Sequence, residues 1–153
     1  MADYLPVPFH PQPSDGYCLA SCAAMVLSYY GIDRSMALLR RQLRISLPFG
    51  TSFLNIKRLR NRTIDVVIRR GDEHAPFGWL SKNVPLILAV EGGELAHHAG
   101  QHFQHAVVLI GQDDVGFWMH DPELASGPIH ISTDELLLAW GEIDYRYAAL
   151  VQH

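Results

Sequence analysis

Gln12-Pro-Ser-Asp-Gly-Tyr-Cys18, running into the apolar stretch Leu19 to Tyr30, is the part of the chain on which its reading turns. Ser14, Asp15 and Gly16 are turn formers and N-cap residues. The apolar positions Leu19, Cys22, Ala23, Val26, Tyr29 and Tyr30 then recur at i, i+3, i+4 and i+7 until Gly31 stops the run. This spacing predicts a core helix with Cys18 in its first turn. There the unpaired backbone N–H groups and the positive end of the helix dipole favour the thiolate, the form that attacks electrophiles. Cys22, one turn deeper on the same face, reads as a small core residue.

Before this stretch, residues 4 to 9 read as an extended edge segment, because Pro6 and Pro8 cannot donate to a sheet ladder. After it, Asp33 or Ser35 caps a second helix carrying Met36, Leu38, Leu39 and Leu43, which ends before Pro48. Gly50-Thr-Ser caps a third, with Phe53, Ile56 and Leu59 inward. The pattern changes at Thr63. Ile64 to Ile68 is a β-branched run, Pro76 to Leu80 a short helical turn and Pro85 to Val90 a buried strand. A loop from Glu91 to Gly100 leads to the strands Ala106 to Ile110 and Phe117 to His120, joined by a turn through Gln112 to Gly116. Ile129-His-Ile begins another strand, Ser132-Thr-Asp-Glu135 is a capping box for a helix to Trp140, and Tyr145 to Val151 closes the sheet. Helices first and mostly antiparallel strands second is the pattern of one α+β domain over residues 1–153, in which a helix packs on a sheet.

Composition bounds the function. Of 153 residues 48% are apolar and 18% charged, an ordinary globular balance, and a net charge of −4 does not mark the chain for nucleic acid or an anionic membrane. The basic stretch Lys57 to Arg62 reads as the solvated face of a helix. No segment approaches the roughly 20 apolar residues of a membrane span, and the N-terminus lacks the charged start and apolar run of a signal peptide. Two cysteines four residues apart on one helix make a poor disulfide, so the expectation is a cytoplasmic protein with free thiols.

A thiolate nucleophile needs a histidine to move protons, a group to orient that histidine, and donors aimed at the oxyanion. His105 stands at the start of one strand and Asp121 at the end of the next. If paired residue numbers sum to 226 the two lie directly opposite, with Cβ atoms roughly 4.5 to 5.5 Å apart; a sum of 228 makes them diagonal neighbours on one face. Alone, Asp121-Pro122 is a strand-ending turn and Gln12 an unremarked loop residue. The joint arrangement carries the weight. His97, His98, His102 and His105 with the cysteines invite a zinc reading, but Cys18 and Cys22 lie within an apolar helix that Cys22 would have to leave, so neither metal nor cofactor is expected.

Pro11-Gln12 and Cys18, the run Ala23 to Gly31, Gly50-Thr-Ser, Val84-Pro-Leu-Ile-Leu, His105 to Gly111 and Asp121-Pro122 occur in an order that resembles a known family across residues 5 to about 150. It is the papain-like cysteine peptidase domain of bacteriocin-processing transporters, which cleave leader peptides after a double glycine. The resemblance implies the papain-like fold, with the nucleophile helix packed on a C-terminal antiparallel sheet. It further implies Cys18 as nucleophile, His105 as general base and acid, Asp121 as its orienting group, and Gln12 with the Cys18 backbone N–H as oxyanion donors. Leu19 stands where the family usually has glycine, and Ala106 where it commonly has an aromatic residue; both positions bear on the substrate. No transporter segment accompanies the domain, so the chain resembles the free-standing members, and a double-glycine leader is not implied. The expected activity is a peptidase acting on a peptide or protein through a Cys18 acyl-enzyme. An acyl or amide transferase using the same groups, an idle peptide-binding module and a delivered effector domain are the alternatives, with oligomeric state and non-classical export left open.

Overall fold

The strongest helical signal in the chain becomes a helix buried on every side. In the computed structural model, which describes residues 3–153, α1 spans Cys18–Tyr29 and every residue from Leu19 to Leu27 is buried. α2 (Met36–Gln42) packs beside it, capped by Ser35, whose hydroxyl accepts the Leu38 N–H at 3.1 Å. A 3₁₀ helix, Phe53–Leu59, buries Ile56 and Leu59. Then follow β1 (Ile64–Arg70), α3 (Ala75–Leu80), β2 (Leu86–Glu91), two 3₁₀ turns (Gly92–Glu94 and Ala96–His98), β3 (Gln104–Gln112), β4 (Gly116–His120), β5 (Ile129–Ser132), α4 (Thr133–Gly141) and β6 (Arg146–Gln152).

The strands form one six-stranded sheet in the order β1-β6-β2-β3-β4-β5, each pair antiparallel. Side chains alternate along a strand, so one sheet can feed two cores. Ile64, Val66, Ile87, Ala106, Val108, Ile110, Ala148 and Leu150 meet α1, α2 and the 3₁₀ helix on one face. Leu86, Leu88, Val107, Leu109, Tyr147 and Ala149 meet Leu136, Ala139 and Trp140 of α4 on the other. At roughly 25 cal/mol per Å² of apolar area, these two cores are the main source of stability.

Several local expectations are corrected. None of Ser14, Asp15 and Gly16 caps α1: Tyr17 holds the N-cap position, and no side chain bonds the helix end. Gly16 instead takes a left-handed φ of +93°, with its Cα so close to the next loop that a Cβ would lie 2.8 Å from the Pro48 carbonyl oxygen. Thr51 does not cap the third helix either; its hydroxyl donates to the Leu43 carbonyl at 2.8 Å. The final strand is interior, because β6 inserts between β1 and β2. The capping box closes on one side only: Ser132 accepts the Glu135 N–H at 3.2 Å, but the Glu135 carboxylate reaches the Ala96 N–H at 3.1 Å. Among the described residues no helix is long and apolar enough to cross a membrane.

Candidate active site

The uncapped start of α1 is the first ingredient. Ser21 is the first residue whose N–H bonds back along the helix, to the Tyr17 carbonyl at 2.9 Å, so the N–H groups of Cys18, Leu19 and Ala20 precede any helical acceptor. Cys18 sits among them, half-buried, on the wall of a cleft of about 510 Å³. Gln12, Asp15, Gly16, Leu19, Pro48 to Thr51, Gln101 to His105 and Glu123 line the rest. Cys22 is fully buried, and burial, followed by the nearby Cys18 and Asp121, pushes its thiol well above the ordinary value.

The β3–β4 hairpin supplies the second. Val108 pairs with His120 and Leu109 with Met119, the register with sum 228, and a bulge falls between Leu109 and Gly111. His105 and Asp121 are therefore diagonal neighbours, and His105 Nε2 lies 2.7 Å from Asp121 Oδ1. Both side chains are buried, at 2% and 0% exposure. With Nε2 committed to Asp121, Nδ1 is the nitrogen left for the Cys18 thiol, which lines the same cleft. Burial alone would lower the His105 pKa, but the hydrogen bonds to Asp121 and Cys18 and their charges outweigh it and raise it to about 9.

Asp121 holds this position through four donors. Oδ1 accepts His105 and the Glu123 backbone N–H at 3.0 Å, while Oδ2 receives His97 Nε2 at 2.6 Å and His98 Nε2 at 2.8 Å. Burial acts to raise its pKa, yet the hydrogen bonds from His105 and His97, the His105 charge and the Glu123 N–H hold the carboxyl far below the usual range. The adjoining turn also fixes Gln12, whose backbone N–H donates to the Pro122 carbonyl at 2.7 Å. Gln12 Oε1 is buried without a partner.

The structure thus gathers Cys18, His105 and Gln12 around one cleft, with Asp121 buried behind His105. Sequence reading missed the part played by His97 and His98 as partners of Asp121. Their adjacency in Ala96-His-His-Ala was the available signal, but nothing local to it points at residue 121. The loop they ride on is closed at its base by Gly92 N–H to the Phe103 carbonyl at 2.8 Å and by Glu91, which accepts the Phe103 N–H at 3.1 Å. Phe103 in turn packs on the His105 ring, with centroids 5.2 Å apart. Two overlapping groups, His97, His98 and Asp121, and His98, His105 and Glu123, bring ligand-type atoms within 4.8 Å of one another.

The chain is similar to several known proteins. The profile of the Peptidase_C39 like family matches residues 4–148. The lactococcin-G-processing and transport ATP-binding protein LagD of Lactococcus lactis is 30% identical over 132 residues, which covers 84% of this chain but only 17% of that protein. The peptidase domain of Streptococcus ComA, a bi-functional ABC transporter of a quorum-sensing pathway, superposes with a TM-score of 0.77 at 20% identity, over 94% of this chain and 97% of that one. A double-glycine-motif protease from an AMS/PCAT transporter, solved with its leader peptide, gives 0.76 at 23% identity over 100% and 96%. A C39-like peptidase from Bacillus anthracis gives 0.77 at 16% identity over 99% of each chain. These likenesses identify the fold as the mixed helix and antiparallel-sheet architecture of papain-like peptidases.

Proposed function

Because this chain belongs to the peptidase C39-like family, we propose that it is a cysteine peptidase in which Cys18 attacks the scissile carbonyl of a bound peptide. One observation carries the reading: a buried carboxylate, Asp121, holds His105 at 2.7 Å, and the same imidazole lines an open cleft together with a cysteine at the start of a helix.

The residues then divide the work. His105 takes the thiol proton on Nδ1, and the imidazolium so formed is stabilised by Asp121 through Nε2. Attack breaks the carbonyl π bond and puts negative charge on its oxygen, where the Cys18 backbone N–H and the Gln12 side-chain amide donate. His105 returns its proton to the departing amine as the carbon–nitrogen bond breaks, leaving a thioester on Cys18. Water, deprotonated by His105, then releases the acid. The substrate class is peptide, a reading supported by the complex of the AMS/PCAT transporter protease with its leader peptide. Leu19 bears on which peptides fit, since it borders the cleft itself, whereas Ala106 is buried in the core.

The test is turnover of a peptide library by wild-type protein and by Cys18→Ala, with thioester capture on Cys18 detected by mass spectrometry. Turnover abolished by Cys18→Ala, with an acyl adduct mapped to Cys18 in the wild type, supports the reading. Peptides that bind without being cleaved or acylating Cys18 would replace the peptidase with a binding module, and an added amine appearing in the product would make it a transferase.

A further inference from the structure

We propose that His97, His98 and Asp121 form a binding site for a divalent transition ion, Zn²⁺ by the chemistry of its donors, and that occupation of this site restrains the peptidase. The set differs from the cysteine and histidine combination that the sequence spacing disfavours: it uses no thiol, and its carboxylate arrives from the far strand of the β3–β4 hairpin.

Three observations support it. First, two ring nitrogens converge on a single oxygen, with His97 Nε2 at 2.6 Å and His98 Nε2 at 2.8 Å from Asp121 Oδ2, and ring centroids 4.2 Å apart. Two imidazoles and a carboxylate with a position left open is a donor set that suits zinc. Bonds of about 2.0 to 2.1 Å in tetrahedral array separate ligand atoms by roughly 3.3 Å, so each of the two nitrogens needs to part from Oδ2 by less than about 1 Å to admit the ion. Second, a further carboxylate stands at the far nitrogen of His98: Nδ1 faces Glu123 Oε2 at 3.6 Å. With an ion at Nε2, Glu123 would be the outer carboxylate that commonly orients a metal-bound histidine. Third, there is a way in: His98 and Asp121 are buried, while the His97 side chain is 23% exposed and offers the approach from solvent.

The consequence for turnover rests on the peptidase reading; the binding does not. An ion on Oδ2 withdraws charge from the carboxylate whose Oδ1 holds His105, so the support of the imidazole weakens when the site fills.

Cobalt, a spectroscopic stand-in for zinc, is titrated into chelator-treated wild type and Cys18→Ser, and zinc affinity is measured by calorimetry on the same proteins. We expect four-coordinate cobalt absorption without sulfur charge transfer, the same in both proteins. His97→Ala and His98→Ala should each weaken zinc at least about tenfold, and Glu123→Gln by roughly tenfold. His130→Ala, on β5 and paired with Asp113, should leave the affinity unchanged. Far-UV dichroism of each variant checks that it is folded. Sulfur-to-cobalt charge transfer lost in Cys18→Ser would put the ion on the thiol and overturn the proposal, as would affinity insensitive to His97 and His98, or no binding at all. Turnover is a separate arm: zinc should inhibit the wild type, chelator should reverse this, and His97→Ala should blunt it. Binding without inhibition would remove the regulatory half. A protein inactive on every peptide would sink the peptidase reading while the cobalt spectrum still decides the site.

Discussion

Asp121 supports His105 with one oxygen and is itself held by the other: Oδ1 stands 2.7 Å from His105 Nε2, while Oδ2 is occupied by His97 and His98. A carboxylate with all four acceptor positions filled is a fixed object, so the imidazole it holds has one orientation and one tautomer. Asp121→Asn keeps the shape but offers an NH₂ group where acceptors are needed, either to His105 or to the paired histidines. We expect kcat to fall on the order of 10³- to 10⁴-fold, by analogy with the same change in a serine triad, with KM less affected. Steady-state kinetics on a cleaved peptide checks this; an effect confined to KM would make Asp121 structural only.

The raised pKa of His105 sets a second prediction, for protein kept free of metal by chelator. With its proton held to about pH 9, the imidazolium beside Cys18 persists across the neutral range. Alkylation of Cys18 by iodoacetamide should therefore be fast below the ordinary thiol pKa of about 8.5, and His105→Ala should abolish this low-pH reactivity. The stability consequence has a definite sign. A folded-state pKa above the unfolded value near 6.5 contributes stability that is complete below about 6.5 and is lost as pH rises through 9. Denaturant midpoints measured between pH 6 and 10 should fall over that window in wild type, and fall less in His105→Ala.

Cys22 gives the internal control. Its thiol is fully buried and pushed well above the ordinary value, so peptide mapping should find it unmodified under native conditions and labelled only on unfolding. Cys22→Ala removes one buried sulfur and should cost on the order of 1 kcal/mol, whereas Cys22→Ser leaves a hydroxyl without a partner and should cost about 1–3 kcal/mol. Urea unfolding distinguishes the two.

The elements visible in the sequence were those written in local pattern. The helical spacing of apolar residues gave α1, Ser35 and Ser132 gave two helix starts, and apolar strands on either side of the Gln112 to Gly116 turn gave the β3–β4 hairpin, whose register brings His105 to Asp121. What escaped was decided by distant partners. β6 enters the middle of the sheet because Tyr147 to Ala149 have ladder partners on both β1 and β2, a choice no local window records. Glu135 leaves the expected capping box because the Ala96 N–H, 39 residues away in sequence, claims its carboxylate. The histidine pair on that same turn reaches Asp121 for the same reason: a loop with Gly92, Gly93 and Gly100 has no period from which its path could be read.

Gly16 joins the two loops that flank Cys18. With φ at +93° and the Pro48 carbonyl oxygen 2.8 Å from where a Cβ would be, alanine is strained by its backbone and blocked by its neighbour at once. Gly16→Ala should cost about 1–3 kcal/mol and push the Pro48 to Thr51 wall away from the thiol. The expected result is a lower kcat/KM together with a lower unfolding midpoint; full activity at wild-type stability would show that the loop absorbs the change.

Ser132 and Glu135 separate the stability of α4 from the placement of the histidine loop. The Ser132 hydroxyl bonds the helix start, accepting the Glu135 N–H at 3.2 Å, so Ser132→Ala should cost about 1 kcal/mol in stability and leave peptide turnover unchanged. Glu135 also belongs to that first turn, but its carboxylate reaches across to the Ala96 N–H at 3.1 Å, immediately before His97 and His98. The bond is partly open to solvent, so its loss should cost no more than about 1 kcal/mol. Its larger effect falls on the loop. Glu135→Ala frees the turn that delivers two of the four donors to Asp121, and should raise amide hydrogen exchange across residues 95–101 and lower kcat. Glu135→Gln retains an acceptor oxygen at the same reach and should restore most of both. If Glu135→Ala and Ser132→Ala lower stability alike and neither alters exchange in the loop, the histidine turn is held by its own contacts with Asp121 and not by α4.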